Sequence, residues 1–385
     1  MKAAKEALEI MKKYYHQRDL AALEWKKKGG KVVGCVGISV PEELIIAGGC
    51  LPIQVTGDPD NSLEAGDEYM EDTIVPHVRS IHNLFVMGKY DFLDLAVFPH
   101  TDDSLKRCYY GLWTEKHELD PDLKIPVLTV FDLLHSRKYI GNEYVRGRMA
   151  DFKDQIEKLS DRTISKETLL QAIELCNENR RLLKKIAALR SAEPPRISGV
   201  EALQIIGASF FMSKEEHNEL LKDFLAGADQ FFPKNGVRLY VSGSIIDNTR
   251  LYELIESCGA VVVSEDVSTG NRYSDNLVDT STEDLLDALV DRYHAKSHDG
   301  RIYPITELAD YVVNGVKESK AQGVIFNYLQ WDDVHAWNYP TQRDALNAIG
   351  IPSIAFDMQQ YKLESPEQLR TRIEAFIEII GRQHG

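Results

Sequence analysis

K-V-V-G-C-V-G-I-S-V-P-E-E-L-I-I-A-G-G, residues 31–49, is the segment from which the architecture can be inferred. Residues 31–40 are apolar and rich in β-branched side chains, a composition typical of a buried strand. Pro41 suits the first turn of a helix, and Glu42 and Glu43 follow near the positive end of that helix. A strand that leads into a helix in this way indicates a parallel sheet with helices on its faces.

The same alternation of strand and helix continues along the chain. Strand-length apolar segments are predicted at 51–55, 95–98, 126–130, 236–244, 260–266, 323–328 and 352–357. Helical patterns are predicted between them, at 76–87, 104–116 and 251–259. Strands that alternate with helices at this spacing predict the α/β class. We expect two tandem domains with Rossmann- or flavodoxin-like parallel sheets, joined by a helical connector.

The length of the chain predicts more than one domain. A chain of 385 residues is longer than one hydrophobic core usually organises. Residues 143–192 are charged, periodic and almost continuously helix-forming, and Pro194-Pro195 ends this pattern. The predicted division is therefore N-terminal helices at 1–29, a first α/β domain at 30–142, a helical connector at 143–199 and a second α/β domain at 200–385.

The composition disfavours several functional classes. A formal net charge of −15 disfavours a nucleic-acid partner, because phosphate contacts need clusters of Lys and Arg. No run of about 18 apolar residues is present, so no membrane span and no membrane partner are expected. The first residues form a charged amphipathic helix without the apolar core of a signal peptide, and a cytoplasmic location is expected. The five cysteines are scattered without a C-x-x-C pair, which predicts reduced, mostly buried thiols.

In open parallel sheets, ligands bind beyond the carboxyl ends of the strands. Ser242 and Ser244 follow a predicted strand, where hydroxyls and backbone N–H groups suit a phosphate or a thioester carbonyl; a tight turn with an N-cap serine is the equal alternative. Arg272 suits a carboxylate or phosphate ligand, and a salt bridge to Asp266 or Glu265 explains it almost as well. The candidate substrate-binding residues are Ser39, Ser242, Ser244, Ser268, Arg272, Tyr273, Asn327 and Trp331.

Two strand ends, P-H-T-D-D at 99–103 and W-D-D-V-H-A-W at 331–337, combine Asp with His. Carboxylates and imidazoles ligate divalent metals, so a mononuclear metal site is one hypothesis, and helix N-capping by Asp102 or its neighbour is the alternative. Trp331 and Trp337 are either walls of an aromatic or acyl pocket or core residues. The sequence has no P-loop, dinucleotide-binding or nucleophile-elbow motif, so the chain is not expected to hydrolyse ATP itself or to carry NAD in the usual way.

Several segments, in the same order along the chain, together resemble one protein family. They are V-P-E-E-L-I-I-A-G-G-C-L-P-I (40–53), V-R-S (78–80), Y-D-F-L-D-L-A-V-F-P (90–99), G-L-W (111–113), N-E-N-R-R (177–181), V-S-G-S (241–244), G-A-V-V-V-S-E-D-V-S-T-G-N-R (259–272), Q-G-V-I (322–325) and G-I-P-S-I-A-F-D (350–357). The chain resembles the cluster-bearing subunits of 2-hydroxyacyl-CoA dehydratases and ATP-dependent benzoyl-CoA reductases. Its length and the N-E-N-R-R segment favour the smaller, C-type subunit of the reductases.

The resemblance implies three cluster ligands that this sequence lacks. In the family, two homologous subunits pair, each usually binds a [4Fe–4S] cluster through three cysteines between its α/β domains, and a separate ATP-hydrolysing activator supplies electrons. The matching positions here are Val75, Asp102 and Asp332, and Ser268 stands at a further position where a cysteine is sometimes found. Clusters are held by thiolates and valine has no donor atom, so we expect the [4Fe–4S] cluster only on a homologous partner.

Two interpretations of the remaining thiols stay open. Cys35, Cys50 and Cys108 lie near the expected cluster region in sequence and would be the ligands of a relocated cluster. Buried structural thiols are the simpler interpretation.

The preferred functional hypothesis is a cluster-free subunit of a dehydratase or reductase that acts on a CoA thioester, paired with a homologous cluster-bearing subunit. One alternative is a stand-alone enzyme that uses a mononuclear divalent metal or acid–base carboxylates. Another is a non-catalytic protein that binds acyl-CoA or aromatic ligands. Glu43, His100, Asp102 and Asp332 are the candidate catalytic residues, expected to line the former cluster cavity, and no resident metal is assigned.

Overall fold

The strands form two sheets of four in the computed structural model, which describes residues 2–134, 139–295 and 304–384. The first sheet contains β1 (Val32–Val36), β2 (Leu51–Val55), β3 (Leu95–Pro99) and β4 (Val127–Phe131). The second contains β5 (Val237–Gly243), β6 (Ala260–Glu265), β7 (Gly323–Leu329) and β8 (Ser353–Gln359). All eight lie where the sequence predicts strands, and every neighbouring pair is parallel. The α/β class with two tandem Rossmann-like sheets is confirmed.

The two sheets have the same topology. The strand order is β2-β1-β3-β4 in the first half and β6-β5-β7-β8 in the second. The first strand of each half therefore has its second strand on one side and its third strand on the other. At such a reversal of strand order the connections leave in opposite directions, which opens a crevice at the carboxyl end of the sheet.

Helices flank the sheets and connect the halves. In chain order they are α1 (Lys2–His16), α2 (Leu20–Lys27), α3 (Glu42–Ala47), α4 (Glu64–Asp67), α5 (Pro76–Val86), α6 (Asp103–Thr114), α7 (Tyr139–Ser160), α8 (Lys166–Ser191), α9 (Gly199–Ala208), α10 (Lys214–Ala226), α11 (Arg250–Ser257), α12 (Asn271–Ser274), α13 (Leu285–Ala295), α14 (Thr306–Ser319), α15 (Asp333–Ala336), α16 (Tyr339–Ala348) and α17 (Pro366–His384). A π-helical turn at Glu115–Leu119 follows α6, and a short 3-10 turn at Ala228–Gln230 follows α10. Within the described ranges, none of these helices is long and apolar enough to cross a bilayer.

The segment predicted to be almost continuously helical contains two helices, α7 and α8. The chain turns at Asp161, whose φ of 53° is left-handed. Ser165 then caps α8 by accepting a hydrogen bond from the Thr168 backbone N–H at 3.1 Å. Farther along α8, the Asn177 side-chain amide donates to the Val278 carbonyl at 2.8 Å. The second connecting helix is therefore anchored to the second half of the chain.

The N-terminal helix packs against elements that come much later in the sequence. Helix α1 lies on α9 and α10. Gly207 of α9 approaches it so closely that a Cβ there would lie 2.5 Å from the Tyr15 ring. One hydrophobic core runs through both halves and includes Met11, Phe85 and Val241. Packing across the halves therefore fixes the geometry of the space between them.

Candidate functional site

A cavity of about 200 Å³ lies between the two halves, at the carboxyl ends of both sheets. Its walls are predominantly apolar, as is typical of pockets for small organic ligands. The polar side chains among its lining residues are Ser39, Gln54, His77, Thr101 and Asp102 from the first half and Ser268, Arg272, Tyr293, His294, Asp332 and His335 from the second. Both halves are therefore needed to build it.

The structure brings Val75, Asp102 and Asp332 together around this one cavity. Each stands directly before a helix: Val75 before α5, Asp102 before α6 and Asp332 before α15. The three positions to which the family resemblance assigns cluster ligands are distant in sequence but border a common space.

Asp102 is a helix cap as well as a cavity residue. Its Oδ1 accepts a hydrogen bond from the Leu105 backbone N–H at 2.9 Å, in the first turn of α6. The N-capping alternative is therefore confirmed for Asp102. The same contact holds its carboxylate at the edge of the cavity.

Asp332 is the centre of a hydrogen-bonded group at the cavity wall. Its Oδ1 lies 2.8 Å from His335 Nδ1, and its Oδ2 accepts the Ser244 hydroxyl proton at 2.5 Å. Burial alone would raise the pKa of the Asp332 carboxyl, but His335 and Ser244 hold it below its usual value. Because the carboxylate stands between the hydroxyl and the imidazole, the imidazole does not activate Ser244 as a nucleophile.

Replacing Ser244 with alanine is expected to destabilise the protein by about 1–3 kcal/mol, because it leaves a buried donor without its acceptor. Ser244 Oγ accepts the Leu329 backbone N–H at 2.9 Å in addition to donating to Asp332. The pKa of Asp332 should rise at the same time, since one stabilising hydrogen bond to its ionised form is lost. Urea unfolding and a carboxyl ¹³C NMR titration measure the two effects. Ser39→Ala, on the same cavity, is the control, and equal results for both variants would contradict the assignment.

Glu43 lies behind the cavity wall. Its fully buried carboxylate is 2.6 Å from Arg180 Nη2 and accepts the Tyr293 hydroxyl proton at 2.8 Å. Burial would raise the pKa of Glu43, but Arg180 and Arg292 lower it to about 2. Tyr293 itself lines the cavity. At neutral pH, Glu43 is therefore an ionised group suited to holding Tyr293 in place rather than to donating a proton.

His100 lies at the surface and is not part of the cavity lining. Its side chain is 39% exposed, with Nδ1 3.0 Å from Asp132 Oδ1. The Tyr144 hydroxyl donates to the other oxygen of Asp132 at 2.7 Å. Of the four candidate catalytic residues, the described structure places Asp102 and Asp332 on the cavity.

Three of the candidate substrate-binding residues, Ser39, Ser268 and Arg272, line the cavity. Arg272 Nη2 lies 3.5 Å from Asp266, so the salt bridge offered as the alternative is present. Burial raises the pKa of Asp266 above its usual value even though Arg272 opposes this effect. Arg272 therefore brings a cation to a predominantly apolar cavity and also has a structural partner.

Four other candidates are buried close to the cavity. Ser242 and Asn327 lie within β5 and β7, and Ser244 follows β5 directly. Tyr273 is buried on α12, where its hydroxyl donates to Glu42 at 2.5 Å. These side chains support the cavity wall from behind.

Trp331 and Trp337 belong neither to the core nor to the cavity lining of the described residues. Trp331 is 39% exposed and Trp337 is 78% exposed. Trp331 also has a left-handed backbone, with φ of 66°. Both follow the end of β7, where the chain turns outward, so neither alternative predicted for them holds.

His77 is a cavity residue that the sequence did not single out. It lies on α5, two residues after Val75, and its Nε2 is 3.4 Å from Asp247 Oδ2. Asp247 comes from the loop after β5, in the other half of the chain. The strand-end rule gave a usable signal here, because Asp247 closes the polar segment that follows V-S-G-S.

Neither a relocated cluster nor a mononuclear metal finds support in the described part of the chain. Within it, no group of three or more His, Cys, Asp and Glu side chains could hold a metal ion. Cys35, Cys50 and Cys108 are buried and do not line the cavity between the halves. Burial raises the pKa of all three thiols, to about 11 for Cys50. Thiols in such surroundings are poor metal ligands, because the thiolate is the binding form.

Comparison with known proteins points in one direction. A family model described as 2-hydroxyglutaryl-CoA dehydratase, D-component, matches residues 37–380. The (R)-phenyllactyl-CoA dehydratase beta subunit of Clostridium sporogenes is 26% identical over 98% of this chain and 97% of its own. The C-type subunit of benzoyl-CoA reductase from Thauera aromatica is 28% identical over 87% of this chain and 88% of its own. The beta subunit of (R)-2-hydroxyglutaryl-CoA dehydratase of Acidaminococcus fermentans is 25% identical over 92% and 94%, respectively.

Proposed function

The chain belongs to the 2-hydroxyglutaryl-CoA dehydratase D-component family, and from this premise we propose that it is one subunit of a complex that acts on a CoA thioester. The complex is of the 2-hydroxyacyl-CoA dehydratase or benzoyl-CoA reductase type. Relatives that are themselves named as subunits support this proposal, since such names imply a partner subunit. The proposed partner is a homologous subunit, and the family resemblance adds an ATP-dependent activator as electron donor.

The proposed subunit has no cluster of its own. The observation that supports this is the side chains around the cavity: Val75 offers no donor atom, and the carboxylates of Asp102 and Asp332 already accept hydrogen bonds from Leu105 and Ser244. An iron–sulfur cluster needs thiolates. The residues present therefore do not fit a [4Fe–4S] cluster, and the chemistry that a cluster supplies is assigned to the partner.

What remains of the site suits the binding of an acyl group. The cavity keeps apolar walls, together with Arg272 and the hydroxyls of Ser39 and Ser268. Apolar walls with a few placed polar groups are typical of small-molecule sites. The subunit would accordingly shape the substrate site while the homologous partner performs the electron transfer.

Two experiments test this function with the full-length chain. Affinity purification from the source cells should recover a homologue that keeps the three cluster cysteines. Titration calorimetry should detect binding of 3-phenylpropionyl-CoA, and the Arg272→Met variant should bind it more weakly. A chain that recovers no such homologue and binds no thioester would contradict the proposal.

Restoring the three thiols should restore the cluster. The triple variant Val75→Cys, Asp102→Cys, Asp332→Cys is expected to take up about four irons per chain on anaerobic reconstitution, because three thiolates suffice to hold a cluster at the edge of one cavity. Iron and acid-labile sulfide analysis, with the absorbance near 400 nm, about where [4Fe–4S] centres absorb, provides the measurement. The single variant Asp102→Cys is the control and should remain iron-free. Equal iron contents in the two variants would show that these positions do not form a cluster site.

A further inference from the structure

Two imidazole–carboxylate pairs face the cavity. His77 on α5 has its Nε2 3.4 Å from Asp247, and His335 has its Nδ1 2.8 Å from Asp332. The proposed function uses neither imidazole. The His77 pair crosses between the halves, because its imidazole belongs to the first and its carboxylate to the second. It therefore forms only when the cavity is assembled.

Asp247 is held as a buried carboxylate by groups from three other segments. The Tyr361 hydroxyl donates to it at 2.8 Å, Arg18 Nη1 lies 3.5 Å from Oδ2, and only 3% of its side chain is exposed. Burial would raise its pKa, but His77, Arg18 and Tyr361 lower it. A fixed carboxylate beside one ring nitrogen sets the orientation of an imidazole and stabilises its protonated form. With Nε2 directed at Asp247, Nδ1 is the nitrogen of His77 that remains to act on a ligand.

The chemistry of a CoA thioester determines what such an imidazole can do. Of the C–H bonds in the acyl chain, those at the α-carbon are the most acidic, since the carbonyl delocalises the resulting electron pair. Proton transfer to a positioned histidine lowers the barrier to breaking such a bond. Arg272, on the same cavity, is a cation suited to the negative charge that develops on the carbonyl oxygen.

We propose that His77 exchanges a proton with the α-carbon of a CoA thioester bound in the cavity, and that Asp247 is its positioning residue. The inference rests on the thioester binding of the proposed function. The α C–H bond breaks, an N–H bond forms at Nδ1, and the electron pair moves onto the thioester oxygen as an enolate. Return of a proton from the imidazolium restores the thioester. No electron enters or leaves, so the step needs no cluster.

The test uses the full-length protein in D₂O with 3-phenylpropionyl-CoA, which has α-protons but no hydroxyl group to eliminate. Mass spectrometry should show deuterium at the α-carbon, at a rate that falls by at least about 100-fold in His77→Gln. Thioester affinity, measured by calorimetry, should be nearly unchanged in that variant. His117→Gln alters an exposed histidine and is the control, with exchange as in the natural chain.

Asp247→Asn gives a second, independent readout. It should slow exchange and shift the ¹⁵N resonances of the His77 ring, because an amide does not hold the same tautomer as a carboxylate. A chain that binds the thioester without exchange, or a His77→Gln variant that exchanges as fast as the natural chain, would overturn the inference and leave the proposed function standing. Failure to bind the thioester would overturn the proposed function and this inference together.

Discussion

Arg180→Met is expected to lower the free energy of unfolding by about 3–5 kcal/mol, or to prevent folding, because it leaves a buried negative charge unpaired. The Arg180 guanidinium is fully buried, 2.6 Å from Glu43 and 3.4 Å from Glu42. It joins α8 of the connector to α3 of the first half. Methionine replaces its volume but not its charge. The loss should therefore be electrostatic in origin, and its dependence on pH can be stated.

The pH dependence follows from the pKa of Glu43. Arg180 is the largest influence that lowers this pKa, to about 2, against burial, which would raise it. The ordinary value in an unfolded chain is about 4.3. The pairing therefore contributes stability that is fully present above about pH 4.3 and is lost as the pH falls towards 2. Without Arg180, burial dominates, the pKa of Glu43 rises, and the variant should be most impaired at neutral pH and least in acid.

Urea unfolding at neutral and acidic pH measures this effect. Arg181→Met is the matched control: Arg181 is the next residue on the same helix, but it is exposed and 3.7 Å from Glu178. It should change stability by less than about 0.5 kcal/mol. A loss in Arg180→Met that is small, or that does not diminish in acid, would contradict the role assigned to this ion pair.

Gly243→Ala is expected to cost about 2–5 kcal/mol, the sum of a left-handed backbone and a steric overlap. Gly243 ends β5, has φ of 114°, and lines the cavity. An added Cβ would lie 2.3 Å from the Asn327 carbonyl oxygen on the neighbouring strand β7. Because backbone atoms cannot rotate away, β5 and β7 must separate there. The Ser244–Asp332 hydrogen bond, which bridges the segments that follow these strands, should be lost with them.

A second glycine separates the two contributions. Gly259 also has a positive φ, of 91°, but no other atom lies within 4 Å of its Cβ position. Gly259→Ala should therefore show the backbone cost alone, about 1–2 kcal/mol. Thermal unfolding and binding of 3-phenylpropionyl-CoA should be compared in both variants. Equal losses of stability, or unchanged thioester binding in Gly243→Ala, would show that the end of β5 does not shape the cavity.

The eight strands could be predicted because each is an apolar, β-rich run bounded by turn residues, and this pattern is local. The break between α7 and α8 was harder to foresee. It depends on the left-handed Asp161, and aspartate is also compatible with a helix. The packing of α1 on α9 and α10 could not be predicted, since the apolar face of a helix does not specify the surface that will cover it.

The site could be predicted in part. Strand ends and the family resemblance were sufficient to identify Val75, Asp102 and Asp332 as neighbours of one cavity. The His77–Asp247 pair was not predicted, because a contact between two halves has no signature in either segment. His100 was misplaced for a related reason: its pairing with Asp132 turns it to the surface.

The central claim is that this subunit has the cavity of its family without the cluster, and iron analysis of the anaerobically reconstituted natural chain tests it most directly. The account predicts no bound iron or acid-labile sulfide above background, with the triple-cysteine variant loaded in parallel to show that reconstitution works. About four irons and four sulfides bound to the natural chain alone would contradict it.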